Sequence, residues 1–235
     1  MNVPTNAPMF DSAPPAPEPF YQVWLKAVTR PNEQTYADLA GSPGANPNKA
    51  YLWLALSYVF SFFVVMLVSS VSTSTQYGGR LSDALGSSLI ALICAAPVGA
   101  VIGVLFYAIE TAIVQWVATL FKGTGTYSQL IYVFAAFTAP ISIVSSVISL
   151  FSLIPFIGLC FSVVSIGIGI YALVLMVMAV KGVNRFGWGE AAGSVLIPGL
   201  VFFFLCACVT IGVLMLLGPV IGDVFSTINQ SLGGY

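Results

Sequence analysis

Charged residues are scarce in this chain. Only 7 Lys and Arg and 8 Asp and Glu occur among 235 residues, 6% in all, whereas 58% are hydrophobic. A soluble domain averages roughly 25% charged residues, so this composition does not supply a water-exposed surface. The sequence therefore predicts a polytopic membrane protein. The net charge of -1 argues against nucleic acid binding, which requires a basic surface.

Histidine is absent, which removes the commonest metal ligand and the side chain that titrates near neutral pH. The four cysteines are Cys94, Cys160, Cys206 and Cys208, and all lie in apolar runs. We expect them to be buried or helix-packing residues rather than disulfide or zinc positions. The sequence predicts no metal site and no cofactor.

Five apolar segments are each long enough to cross a bilayer at about 1.5 Å per residue. The second has roughly twice the ~20 residues that a span needs, so we expect it to tilt, kink near Pro97 or protrude. The predicted fold is an all-α bundle of five transmembrane helices with a short N-terminal interfacial helix. The segments are approximately Tyr51–Val71, Leu85–Phe121, Leu130–Leu153, Phe156–Val180 and Ala191–Leu217.

The flanking regions complete the predicted organisation. Residues 1–19 are rich in Pro and Ala, and we expect a disordered tail. Residues 20–49 form an amphipathic segment and linker, residues 50–218 the membrane domain, and residues 219–235 a short extracytoplasmic tail. About 50 mostly polar residues without a signal-peptide pattern precede the first span, so we expect that span to direct insertion.

Within the amphipathic segment, Trp24 shares helical spacing with other apolar residues, and Lys26 and Arg30 lie among them. Such a helix suits either a membrane surface or packing on the ends of the spans. Both interpretations remain open.

The basic residues are unevenly distributed among the loops. With five spans, six of the seven lie on one side and Arg80 lies on the other. The positive-inside rule then places the N-terminus in the cytoplasm and the C-terminus outside, in the cell membrane. The six are Lys26, Arg30, Lys49, Lys122, Lys181 and Arg185.

An ordered set of short motifs resembles the Yip1 domain family, and in particular its bacterial members. These motifs are VWLKAVTRPNEQTYADL, KGTGTYSQL, FTAP, IPFIG and YALVLMVMAVKGVNRFGWGEA, over roughly residues 20–217. The resemblance implies a five-span integral membrane protein with no established catalytic activity. The eukaryotic branch binds prenylated Rab GTPases, but its DLYGP stretch has no clear counterpart in this chain, so that role is not transferred.

Two of these motifs contain candidate contact residues. KGTGTYS predicts a tight hairpin with Thr126 or Ser128 capping the third span. In KGVNRFGWGE, the residues Lys181, Arg185 and Trp188 either anchor the span or bind anionic lipid head groups or a cytosolic partner. Glu190 falls in the first turn of the fifth helix, where the helix dipole favours a carboxylate.

The stretch YAIETAIVQW places Glu110 inside an apolar run. Glu110 precedes Lys122 by twelve residues, which is about 18 Å on a straight helix and near the middle of a ~30 Å hydrocarbon core. No basic residue is expected at that depth, so we expect a protonated carboxyl that shares hydrogen bonds. Tyr107 and Gln115 are the candidate neighbours. A structural hydrogen bond and a proton or cation role both remain open.

These observations favour a non-catalytic scaffold or adaptor that acts through helix packing, lipid and cytosolic loops. The alternative is a small transporter or channel component with Glu110 as the coupling residue, which Pro97 and Pro140 favour if they open their helices. An enzyme is not expected, because the four aspartates lie outside the spans and no nucleophile–base pair is evident. The candidate partners are the lipid bilayer, a membrane or cytosolic protein, and a second copy of the chain.

Overall fold

A computed structural model of the chain describes residues 18–78, 81–154 and 157–232. Seven α-helices occur in this described part, together with a short 3-10 helix at Leu150–Leu153. The predicted tail up to residue 17 and Arg80 lie outside the described residues. The helices are α1 Phe20–Thr29, α2 Glu33–Ala40, α3 Pro47–Tyr77, α4 Leu81–Leu120, α5 Tyr127–Ser149, α6 Ile157–Asn184 and α7 Trp188–Leu232.

Five of these helices are long and apolar enough to cross a membrane. They are α3 to α7, so the predicted all-α bundle of five spans is confirmed. The spans within them are Pro47–Thr75, Ala95–Leu120, Tyr127–Leu153, Cys160–Asn184 and Trp188–Ile228. The helices continue past the apolar segments seen in the sequence, and α4 remains one helix through Pro97.

Local signals in the sequence fix where several helices begin. Asn32 and Asn46 accept hydrogen bonds from Gln34 N and Asn48 N, at the starts of α2 and α3. Thr126 forms a capping box with Gln129 at the start of α5, which confirms the predicted cap. Glu190 lies in the first turn of α7, also as predicted.

Helix α5 is the centre of the bundle. It packs against α1, α2, α3, α4 and α6, and nearly all of its first half, residues 130–137, is buried. Helix α7 packs against α4 and α6, and most of its residues beyond Val195 are exposed on the bundle surface. These apolar outer surfaces suit a lipid environment, where exposed hydrophobic side chains are favourable.

One prediction about side-chain burial is wrong. Cys160, Cys206 and Cys208 are exposed rather than buried. Their apolar surroundings in the sequence arise because α6 and α7 face the bilayer there. In a membrane protein an apolar run therefore does not identify the packed side of a helix.

Candidate functional site

The helix termini carrying most of the basic residues meet at one end of the molecule, which we call the basic end. There α3, α5 and α7 begin, and α4 and α6 finish. The amphipathic helices α1 and α2 also pack on the bundle, α1 against α5 and α2 against α5 and α6. Five of the predicted site residues lie at the basic end: Gln115, Lys122, Lys181, Arg185 and Trp188.

Two buried amides, Gln115 of α4 and Asn184 of α6, join three elements at the basic end. Gln115 Nε2 donates to Asn184 Oδ1 at 3.0 Å and to the carbonyl of Gly125 at 2.8 Å. Asn184 Nδ2 donates in return to Gln115 Oε1 at 3.3 Å and to the carbonyl of Val180 at 3.1 Å. This amide cluster uses the polar atoms of Gln115 in structural bonds, so Gln115 is not free to assist Glu110.

The KGTGT loop between α4 and α5 closes directly on this amide cluster. Gly125 N donates to Asn184 Oδ1 at 3.2 Å, and Thr124 N donates to the carbonyl of Asn184 at 3.2 Å. Lys122 and Arg185, which follow α4 and α6, both have positive φ, at 64° and 55°. A Cβ at Gly123 would lie 2.5 Å from Asn184 Oδ1 and one at Gly125 would lie 2.9 Å from it, so both loop glycines are required by close approach to Asn184.

Glu110 lies on the outer surface of α4, within the span Ala95–Leu120. In the described part of the chain its carboxyl makes no hydrogen bond or ion pair. Tyr58 of α3 and Tyr107 are close enough to interact with it electrostatically. The sequence suggested a shared hydrogen bond with a neighbour, whereas in the structure Glu110 is exposed at the surface of the bundle.

Tyr107 forms its hydroxyl hydrogen bond with a residue other than Glu110. Its hydroxyl lies 2.6 Å from Thr138 Oγ1, which joins α4 to the central helix α5. Its ring packs edge-to-face with Phe134. The structure therefore does not bring the three residues Glu110, Tyr107 and Gln115 into one hydrogen-bonded site, and a functional role for them stays a prediction.

Lys181 and Trp188 meet where α6 turns into α7. The Lys181 ammonium pairs with the Glu33 carboxylate of α2, and it lies 4.3 Å from the centre of the Trp188 ring. Trp188 and Arg185 are exposed. This arrangement is a cation–π and ion-pair contact that fixes the turn against α2.

A polar cleft lies beside this turn and has a volume of about 390 Å³. We call it the elbow cleft. Its walls carry Lys181 of α6, Arg185 directly after the end of α6, and the Glu33 carboxylate of α2. It is lined by Glu33, Gln34, Ala37, Lys181, Gly182, Arg185 and Phe186.

Helices α1 and α2 dock through two tyrosine hydroxyls. Tyr36 is fully buried, packs against Phe137, and donates its hydroxyl to the carbonyl of Ala27 at 2.8 Å. Tyr171 of α6 donates to the carbonyl of Val28 at 2.5 Å. Burial raises the pKa of the Tyr36 hydroxyl well above its usual range. The packing side of α1 is therefore fixed to the bundle.

The remaining predicted residues on α1 have different environments. Trp24 packs edge-to-face with Trp53 at 5.9 Å between ring centres. Lys26 lies 3.6 Å from the Glu18 carboxylate, and Arg30 is exposed. Leu25 is 63% exposed. One side of α1 therefore packs on the bundle and the other presents apolar and basic side chains, and the membrane-surface role of α1 stays a prediction.

Asn184, Glu33, Tyr36 and Thr138 were not predicted as site residues. Each depends on a neighbour that is distant in sequence, and Asn184 lies 69 residues from Gln115. The available signal for Asn184 was a single amide at the end of an apolar run. Among the described residues, no group of three or more Cys, Asp and Glu is arranged to hold a metal ion.

The Yip1 domain model matches residues 26–209, which is most of the chain. The protein therefore belongs to the Yip1 domain family, as the sequence motifs suggested. It is a multi-pass membrane protein whose exposed spans contact lipid. Comparison with curated proteins and with solved structures gave no match.

Proposed function

We propose that this protein is a non-catalytic membrane scaffold or adaptor, with the basic end of the bundle in the cytoplasm. The orientation follows from the basic residues at that end and the positive-inside rule. In this proposal the elbow cleft and the exposed side of α1 form the cytoplasmic contact surface. Membership of the Yip1 domain family supports a role without catalysis.

The observation that carries this proposal is the direction of Glu110. A coupling carboxylate in a carrier would be expected to face a path inside the bundle, next to a broken helix. Glu110 is instead exposed on the outer surface of α4. Helices α4 and α5 also continue through Pro97 and Pro140 without interruption, which removes the reason for favouring the transporter alternative.

The charges of the elbow cleft indicate what it would bind. The Lys181 ammonium is already paired with the Glu33 carboxylate, whereas Arg185 is exposed and makes no ion pair among the described residues. A free guanidinium beside amide and backbone donors suits a carboxylate or phosphate. The cleft is therefore proposed to receive acidic groups, from a cytosolic protein segment or from anionic lipid head groups.

Ion flux separates the scaffold from the transporter alternative. Purified protein is placed in liposomes loaded with a pH-sensitive dye, and proton and cation movement is followed for the wild type and Glu110→Gln. The scaffold proposal expects no flux above empty liposomes from either protein. Flux in the wild type that disappears in Glu110→Gln would overturn it and make Glu110 the coupling residue.

The contact surface has its own test. A photoreactive amino acid is placed at Gln34 in the elbow cleft, and at Asn48 as an exposed control at the same end. After irradiation in membranes, a discrete adduct is expected from position 34 and not from 48. Arg185→Glu should remove that adduct because it reverses the charge of the cleft. Equal labelling at both positions, or labelling that survives the charge reversal, would reject the cleft as the contact surface.

A further inference from the structure

An apolar groove lies between α1 and the spans α5 and α6, and we call it the α1 groove. Its volume is about 360 Å³, and its accessible walls are entirely apolar. Leu25, Val144 and Tyr171 are 63%, 52% and 38% exposed, so the groove is open on its outer side. The walls include Tyr21, Leu25 and Val28 of α1, Pro140 and Val144 of α5, and Tyr171 of α6.

The α1 groove lies at a depth where hydrocarbon, and not water, surrounds the protein. Pro140 and Val144 are 13 and 17 residues past Tyr127, where α5 begins at the basic end, which is about 20 to 26 Å along a straight helix. Tyr171 is 13 residues before Asn184, where α6 ends on the same side. All three wall residues lie inside the spans, whose exposed surfaces contact lipid. The groove is therefore continuous with the lipid-facing surface, and its occupant comes from the bilayer.

The groove is preformed, because α1 is held beside it at fixed points. Tyr171 donates its hydroxyl to the carbonyl of Val28, and Tyr36 donates to the carbonyl of Ala27. The volume is at the lower end of the range for small-molecule sites. A stable protein partner needs roughly 800 Å² of surface on each side, far more than the accessible walls of this groove offer. A single unbranched acyl chain therefore fits the groove better than a helix of another protein.

A positive charge lies beside the groove. Thr29 belongs to the groove walls, and Arg30 directly follows it at the end of α1. Arg30 is exposed and makes no ion pair within residues 18–78, 81–154 and 157–232. A free guanidinium suits a phosphate group, to which it can donate two parallel hydrogen bonds. An apolar groove next to a free arginine matches the acyl chain and the phosphate of a phospholipid.

We propose that the α1 groove binds one phospholipid, with an acyl chain between α1 and the two spans and the phosphate beside Arg30. The bound chain fills space that the protein's own side chains leave open, and it joins α1 to α5 and α6. This site goes beyond the proposed scaffold function and does not depend on it.

The first experiment asks whether lipid binding at the groove is saturable. The full chain is held in detergent micelles with increasing amounts of a phosphatidylglycerol that carries a photoreactive diazirine in its acyl chain. After irradiation, the adduct on the peptide covering residues 20–30 is quantified. Labelling should saturate and should be removed by an excess of unlabelled phosphatidylglycerol. Labelling that rises in proportion to the photoreactive lipid and resists competition would show bulk lipid only and would overturn the site.

Two tryptophan variants locate the binding. Val144→Trp fills the groove and should weaken saturable labelling by about tenfold or more. Val147→Trp is the matched control, because it is the same change at a 42% exposed position of α5 outside the groove walls, and it should match the wild type. Equal labelling of the two variants would reject the groove as the binding site.

Arg30→Gln tests the phosphate contact. It should weaken binding about two- to fivefold, the scale of an exposed ion pair. An affinity equal to that of the wild type would overturn the assigned contact between Arg30 and the phosphate.

The last experiment identifies the occupant in membranes. A photoreactive amino acid replaces Leu25, which lines the groove and is exposed enough to accept the change. After irradiation, mass spectrometry should find an adduct with the mass of one phospholipid. An adduct with a second copy of the chain or with another protein would overturn the lipid as occupant. Ion flux, which tests the scaffold proposal, plays no part in these measurements.

Discussion

Gln115 and Asn184 exchange amide hydrogen bonds across the interface of α4 and α6, and they share the KGTGT loop as a third partner. Both side chains are buried. A buried amide that loses its partner keeps an unsatisfied donor and acceptor, which costs more than the net value of the bond itself. The pair is therefore expected to be one of the stronger stabilising contacts at the basic end.

We predict that Asn184→Ala destabilises the protein by about 1–3 kcal/mol, since it removes the partner of Gln115 Oε1 and of the Gly125 N–H. Gln115→Ala should have a similar effect. Because the two residues contact each other, the double variant should lose less than the sum of the single variants. Thermal unfolding in detergent measures all three, and additive losses would show that the two amides act independently.

Substitution of Gly125, the loop glycine next to this pair, is predicted to destabilise the protein to a similar extent. A Cβ at Gly125 would lie 2.7 Å from Val183 Cγ1 and 2.9 Å from Asn184 Oδ1. Gly125→Ala should therefore destabilise the protein by about 1–3 kcal/mol through overpacking. The control is Gly167→Ala on α6, where a Cβ meets nothing within 4 Å and where alanine is the better helix former. Equal unfolding temperatures for the two variants would contradict the proposed contact.

The spans could be predicted from the sequence because each consists of an uninterrupted apolar run of sufficient length. The Thr126 cap could also be predicted, since Thr126 and Gln129 are local neighbours. The amide pair could not, because Gln115 and Asn184 are brought together only when α4 and α6 pack. The direction of Glu110 was equally hidden, since in a membrane both the packed and the lipid-facing sides of α4 are apolar.

The docking of α2 likewise depends on a contact between residues that are distant in sequence. Its contact on α6 occurs at Gly182, where an added Cβ would meet the Glu33 carbonyl, the Tyr36 Cβ at 3.1 Å and the Ala37 N at 3.3 Å. Nothing in the local sequence of α2 indicates the surface of α6 that receives it.

We therefore predict that Gly182→Ala displaces α2 from the bundle, because two of the three contacts are to backbone atoms that do not yield easily. Amide hydrogen exchange in the peptide covering residues 33–40 should accelerate at least tenfold, equivalent to a loss of about 1.4 kcal/mol of local stability. Gly199→Ala on α7, where a Cβ meets nothing within 4 Å, is the control. Unchanged protection of α2 in Gly182→Ala would contradict close helix contact at this position.

Stability is predicted to depend on pH through the hydroxyl of Tyr36, which docks α2 on the bundle. Burial raises the pKa of its hydroxyl well above the usual value, which is about 10 in an unfolded chain. Because the folded-state pKa is the higher one, the neutral hydroxyl contributes stability that is fully present below pH ~10 and is lost as the pH rises beyond it.

Tyr36→Phe should cost about 0.5–1.5 kcal/mol near neutral pH, through loss of the hydrogen bond to the Ala27 carbonyl. The variant lacks the titrating hydroxyl, so the difference in unfolding temperature between it and the wild type should shrink as the pH rises above 10. The other buried tyrosines are common to both proteins and cancel in that difference. Tyr21→Phe, at a 57% exposed position, should track the wild type at every pH. A Tyr36→Phe difference that stays constant across the alkaline range would show that Tyr36 does not titrate differently in the folded and unfolded states.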